Sequence, residues 1–315
     1  MQPVNTMIKE KTAENKWMKQ KDLFRPSQYY KPASISEALS LLSKYGTAAR
    51  PIAGGTDLMT EKDSEIKVLI DILTINLSYI KTSPRGLIIG ATTTFSEIEN
   101  SPLLGETPYD TLAYAASLIG TPQIRNMATI GGNICRPSPC ADTAPVLLVL
   151  DAIINVDGPK GKRELPISEF FKGVGQDALE QGEIVTEIIL PLFPERTGTA
   201  FIKKGRVAVG DLSIVSVATC LIMDEQGRCK SVRIALGSVA PIPLRVKNAE
   251  SFLIDKKPET KLLEEVAAVA VEEINPISDV RASAEYRKAL SRTLVLRALQ
   301  EALVKANQFK NKNEE

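Results

Sequence analysis

Two Gly-Gly pairs, in Ala53-Gly54-Gly55-Thr56-Asp57-Leu58 and in Thr129-Ile130-Gly131-Gly132-Asn133-Ile134, are the residues whose type and grouping point to chemistry. Glycine lets the main chain take positive φ and come close to a ligand, so successive N–H groups can ring an anion. Two such loops suit a pyrophosphate, and Thr56 and Thr129 can offer hydroxyls to it. Neither pair has the spacing of a Rossmann fingerprint or of a lysine-bearing phosphate loop, so a nucleotide held here needs another architecture. Read singly, each pair also fits an ordinary turn, and Asp57 fits a turn-stabilising aspartate.

Composition removes several rival chemistries. The 315 residues contain no histidine, which excludes Ser-His-Asp and Cys-His nucleophiles, the zinc-protease helix motif and a histidyl-linked flavin. A formal charge of +1 gives no broad pull toward nucleic acid, so no nucleic-acid partner is expected. The longest apolar runs, Ala144 to Leu150 and Ile214 to Met223, fall short of a membrane span. Cys135, Cys140, Cys220 and Cys229 are too scattered for a disulfide framework, and no secretory signal precedes them, so a cytoplasmic location is expected.

The elements that must position the glycines follow from pattern. Ser34-Ile35-Ser36-Glu37 predicts a capped helix running to Gly46, and Ala49 to Ala53 a strand that delivers the chain into the first pair. Further strands are predicted at Val68 to Leu73 and Leu87 to Ile89, a capping box at Thr94 to Glu97, and a helix over Tyr109 to Ile119 closed by Gly120. Asp142 is placed to N-cap a helix from Thr143 to Leu150; strands follow at Ala152 to Val156 and Glu183 to Leu190, with a short helix around Ser168 to Phe171. After Pro191 and Pro194 the pattern becomes a meander, Thr199 to Lys203, Ser213 to Met223 and Cys229 to Val239, then helices at Leu262 to Ile274 and Ala284 to Ala306. This divides the chain into a polar, disordered tail over 1–22, a ligand-binding domain over 23–195 with subdomains of about 23–80 and 81–195, a second domain over 196–307, and a disordered end over 308–315. Met18 stands just before the first structured segment as a possible alternative start.

Taken in order, AGGTDLM, QIRNMATIGGNI and SPCAD, with Ile89-Gly90-Ala91 and the late Ser278-Asp279 and Ala284-Glu285-Tyr286-Arg287, resemble the flavin subunit of the molybdenum hydroxylases, the xanthine dehydrogenase and carbon monoxide dehydrogenase family. The resemblance runs from about Phe24 to Ala306. It implies an α+β fold of the vanillyl-alcohol-oxidase (PCMH) type, in which two α/β subdomains clasp FAD and a C-terminal antiparallel sheet-and-helix domain helps cover the ring. In such proteins the stretches matching Pro51 to Leu58 and Thr129 to Asn133 wrap the pyrophosphate and ribityl chain.

Other roles come from the resemblance alone. Asp142 matches an aspartate near the ribityl hydroxyls, a role that stands beside the helix cap. Ile119, Val185 and Ile214 match apolar positions around adenine or the flavin ring, although for any single aliphatic residue a plain core role is the favoured reading. Leu212 falls where some relatives carry an aromatic beside the flavin. One branch of the family carries an extra iron–sulfur cluster on this subunit; such a cluster needs about four thiolates, and Cys135 and Cys140 alone lie near the second glycine pair.

The implied function is an electron-transfer subunit without a side-chain catalyst. A molybdopterin-binding large subunit would hydroxylate the substrate, a small ferredoxin-like subunit with [2Fe–2S] clusters would relay electrons, and NAD or another acceptor would receive them after FAD. A self-sufficient flavin oxidase and a non-catalytic assembly factor of the same fold are the two rival expectations.

Overall fold

Val68-Leu69-Ile70-Asp71 is buried along its whole length because it is the middle strand of a parallel sheet. The computed structural model describes residues 24, 26–60, 63–105, 108–207 and 210–311. In this first sheet β1 (Gln28–Tyr30) and β2 (Ala49–Ile52) flank β3 (Val68–Asp71), and α1 (Ile35–Tyr45) lays Ala38 and Leu42 over Ala49, Val68 and Ile70. Ser34 caps α1 by accepting from the Glu37 amide, and Gly46 ends it at φ +56°. The third strand is shorter than its apolar run: the Asp71 carboxylate accepts from the Leu73 amide and turns the chain.

The second unit is a five-stranded antiparallel sheet ordered β4 (Ile80–Ser83), β5 (Gly86–Gly90), β10 (Ile184–Pro191), β6 (Ile153–Gly158) and β7 (Gly161–Pro166). Between β5 and β6 the chain builds α2 (Phe95–Glu99), α3 (Asp110–Ser117), α4 (Pro122–Arg125), α5 (Ile130–Ile134) and α6 (Thr143–Val149). The capping box at Thr94 and Glu97 is complete in both directions. A one-turn helix, α7 (Ile167–Phe170), and a two-stranded ribbon, β8 (Phe171–Gly173) with β9 (Gln176–Asp177), lead to β10.

The meander is β11 (Thr197–Lys204), β12 (Val215–Met223), β13 (Cys229–Gly237) and a short β14 (Leu244–Arg245), followed by α8 (Lys247–Leu253), α9 (Thr260–Glu272) and α10 (Ala284–Asn311). All nine residues of β12 are buried because both faces are covered. Ala218 and Cys220 join the core under α6, while Val217 and Leu221 pack beneath α9 and α10. At Gly198 a Cβ would stand 1.9 Å from the Ala302 carbonyl, so α10 rests directly on the β11 backbone. The last helix continues through 308–311, into the segment expected to be a disordered end; the expected tail over 1–22 and the last four residues lie outside the described residues.

Candidate functional site

A cleft of about 800 Å³ opens where the parallel sheet meets the five-stranded unit, within the roughly 300–1,000 Å³ typical of small-molecule sites. Strand β2 delivers Ala53 to Leu58 into one side, and the chain from α4 to α5 forms the other. The two glycine segments meet: a Cβ on Gly54 would stand 1.8 Å from the Met127 carbonyl oxygen. No side chain fits between them.

The first segment is a row of free donors. Gly55 takes φ +67°, the Met59 amide donates to the Gly55 carbonyl at 3.0 Å, and the Thr60 amide donates to the Asp57 carbonyl at 2.9 Å. Among the described residues, the amides of Gly54, Gly55, Thr56, Asp57 and Leu58 donate to no protein acceptor. Consecutive amides of this kind make an anion-binding concavity. It is the Asp57 carbonyl that ties the turn, accepting the Thr60 amide and hydroxyl, while its side chain is exposed.

The second segment works differently from the loop expected of it. Thr129 is the N-cap of α5, and its hydroxyl accepts from the Gly132 amide at 3.2 Å. The Ile130 amide donates to Thr93, Gly131 to Ala91 and Asn133 to Thr129, so these donors are taken up inside the fold. Gly131 is required by packing, not by positive φ, since a Cβ would stand 2.6 Å from the Ala91 carbonyl oxygen. Thr129, Gly131, Gly132 and Asn133 face the cleft as a smooth wall, and Thr143 fixes Asn133 by donating to its Oδ1 at 2.6 Å. Ile130 is fully buried in the core instead.

Asp142 stands at the N-cap position of α6 but does not cap it. Its residue takes helical φ and ψ, which turns the carboxylate away from the first-turn amides and toward Lys203 Nζ at 2.6 Å. The same ammonium donates to the Leu118 carbonyl at 3.1 Å. Burial pushes the Asp142 carboxyl above its ordinary value, and the Lys203 charge and hydrogen bond pull it back. Its Oδ1 is buried with no protein partner, and the residue lines the cleft. An orphaned acceptor there fits a ligand hydroxyl.

Ile119 and Val185 line the cleft, whereas Ile214 is 5% exposed and packs in the core beneath α9 and α10. Leu212 stands at the cleft with 57% of its surface exposed, held beyond Asp211, whose carboxylate takes the Arg206 and Val207 amides. Lys203 and Arg50, which sequence reasoning missed, bring positive charge to the same space. A lysine near the end of a strand resembles any solvated strand terminus, and the partner that would reveal it lies far off in the chain, at the start of helix α6.

These features together suit FAD: free amides and cations for a diphosphate, an orphaned carboxylate oxygen for hydroxyls, and aliphatic walls for rings. Residues 24–193 match the model of the FAD binding domain in molybdopterin dehydrogenase, and residues 200–302 that of the CO dehydrogenase flavoprotein C-terminal domain. The chain is 34% identical to the carbon monoxide dehydrogenase medium chain of Hydrogenophaga pseudoflava, covering 87% of this chain and 96% of that one. It is 32% identical to the putative xanthine dehydrogenase FAD-binding subunit of Escherichia coli K12, over 90% and 98%. The solved carbon monoxide dehydrogenase of Hydrogenophaga pseudoflava lacking the Mo-pyranopterin moiety superposes with a TM-score of 0.85 at 33% identity, over 89% of this chain and 98% of that one. The fold is thus the FAD-binding type with a C-terminal sheet-and-helix domain, and the chain belongs to the FAD-binding subunits of the molybdopterin-dependent dehydrogenases, the molybdenum hydroxylase family of oxidoreductases.

Proposed function

We propose that this chain is the electron-transfer subunit of a molybdopterin-dependent hydroxylase or dehydrogenase, standing between the [2Fe–2S] clusters of a small ferredoxin-like subunit and NAD+ or another acceptor, with substrate chemistry on a molybdopterin-binding large subunit. The observation that carries the reading is the contact of Gly54 with Met127, which sets a row of unpaired amides against a wall of small residues in one cleft. The amides of Gly54 to Leu58 would hold the diphosphate, Asp142 the ribityl hydroxyls, and Ile119 and Val185 the flat apolar surfaces. FAD supplies the chemistry of taking electrons singly and giving them up in pairs, and the protein supplies orientation and electrostatics. Leu212 leaves one side of the cleft open, which suits delivery to an external acceptor.

The test is purification from the native source. Stoichiometric FAD, co-purifying molybdopterin and iron–sulfur chains, and flavin reduction only when the whole complex meets its substrate are expected. A separated subunit that oxidises an alcohol or aldehyde by itself would replace this reading with a self-sufficient oxidase, and a colourless subunit in the complex would replace it with a scaffold. Comparing NAD+, dioxygen and quinone as oxidants of the reduced complex identifies the acceptor.

A further inference from the structure

The segment Pro139 to Asp142, of which Cys140, Ala141 and Asp142 line the cleft, lies within the flavin-binding part of the chain, yet three of its restraints come from beyond residue 196. The Ser238 amide donates to the Pro139 carbonyl at 2.7 Å, Arg281 Nη1 donates to Cys140 Sγ at 3.1 Å, and Lys203 holds Asp142. Two of these three restraints lead back to one residue.

We propose that Asp279 is a positioning residue for the cofactor, acting through Arg281 and Arg287 to set the segment 139–142 and with it the Asp142 carboxylate. The inference rests on the reading that FAD lies against Asp142. The Asp279 carboxylate gathers five donors. Its Oδ1 takes the Arg281 and Ala282 amides and Arg287 Nη2 at 2.8 Å, and its Oδ2 takes Arg281 Nε at 2.9 Å and Nη2 at 2.6 Å. The two-nitrogen fork fixes the guanidinium plane, so the remaining Nη1 is aimed at Cys140.

The second route passes through the core. Arg287 is 1% exposed, and Asp279 is its ion-pair partner among the described residues. Its Nη1 donates to the carbonyls of Ser238 and Ile214. Ser238 holds a left-handed φ of +64°, a conformation an L-residue keeps only when its surroundings hold it there. From that position its amide reaches Pro139 and its hydroxyl pairs with Ser213 at 2.8 Å. Both routes from Asp279 therefore end on neighbouring residues, Pro139 and Cys140, three and two positions before Asp142.

The experiment compares the full-length wild-type chain with Asp279→Asn, with Arg281→Ala, which leaves the Asp279 to Arg287 pair in place, and with Lys305→Ala. The last removes a tie of 2.8 Å to Asp110 that joins the same two parts of the molecule away from the cleft. Three quantities are read: the FAD dissociation constant, the visible spectrum of bound flavin, and alkylation of Cys140 in the FAD-free chain by peptide mapping. Asp279→Asn and Arg281→Ala should weaken FAD binding about tenfold, shift the flavin spectrum and expose Cys140 to alkylation, while Lys305→Ala does none of these. Unchanged affinity and spectrum in both cleft-linked variants would overturn the proposal, as would an equal loss in Lys305→Ala. A wild-type chain that binds no FAD would overturn this inference together with the reading beneath it, and is distinguished by appearing without any substitution.

Discussion

Lys203 Nζ lies 2.6 Å from Asp142 Oδ2, and this buried contact joins the end of strand β11 to the start of helix α6. Both side chains are at most 10% exposed, so each is the other's main compensation for lost water. Lys203→Met should cost about 3 kcal/mol in unfolding free energy because it strands a buried carboxylate. Adding Asp142→Asn should recover part of that loss, since the two sites are coupled. Urea denaturation of the single and double variants measures both.

The glycines should separate into packing and cleft roles. Gly54→Ala and Gly131→Ala each drive a methyl into a carbonyl, at 1.8 Å and 2.6 Å, and should yield unstable chains that hold no FAD. Gly132→Ala meets only the Thr129 hydroxyl at 3.0 Å and should fold with the wild-type circular dichroism spectrum. Its methyl would project from an exposed position lining the cleft, so it should still bind FAD more weakly. Fluorescence titration with FAD distinguishes the three.

A row of amides built for a diphosphate predicts discrimination between flavins. FAD at a hundredfold excess over its dissociation constant should stabilise the apo chain by about 2.7 kcal/mol. FMN, which lacks the diphosphate bridge and adenine, should stabilise it far less. Thermal melts with each flavin at equal concentration provide the comparison.

Stability in acid should report on Asp279. Hydrogen bonds from the Arg281 side chain, together with the Arg281 amide and Arg287, hold this carboxyl well below its ordinary 3.8. The unfolded chain therefore takes up a proton at a higher pH than the native chain, and the stabilisation is complete above the unfolded value and lost as pH falls below it. Asp142 has the opposite sign: its raised value favours the native state at low pH and that contribution fades as pH rises. Between about pH 5 and about pH 3 the melting temperature of Asp279→Asn should fall less steeply than that of the wild type. Equal slopes would show that the network does not depend on this charge.

Much of the scaffold was legible because the signals were local. Ser34 and Thr94 each sit three residues before a glutamate and cap helices, and the alternation from Thr197 to Gly237 marks the meander. The short edge strands β1, β4, β7 and β14 escaped notice because exposed edges carry polar residues and little apolar run. Thr129-Ile130-Gly131-Gly132 read as a loop since paired glycines disfavour a helix, yet close packing on Ala91 and the Thr129 cap override that cost. Asp142 looked like a cap from spacing alone; Lys203 draws its carboxylate elsewhere, and a contact between distant strands and helices leaves no mark in sequence order. Ile130 and Ile214 carry the same side chain as Ile119, and nothing in a lone aliphatic residue tells which faces a cavity.

The bare backbone abutment at Gly54 and Met127 also constrains how the molecule breathes. Two main chains touching with no intervening side chain have nothing compressible between them, so the parallel sheet cannot slide inward past the α4 to α5 segment. The cleft instead meets solvent beside Leu212, whose side chain is exposed.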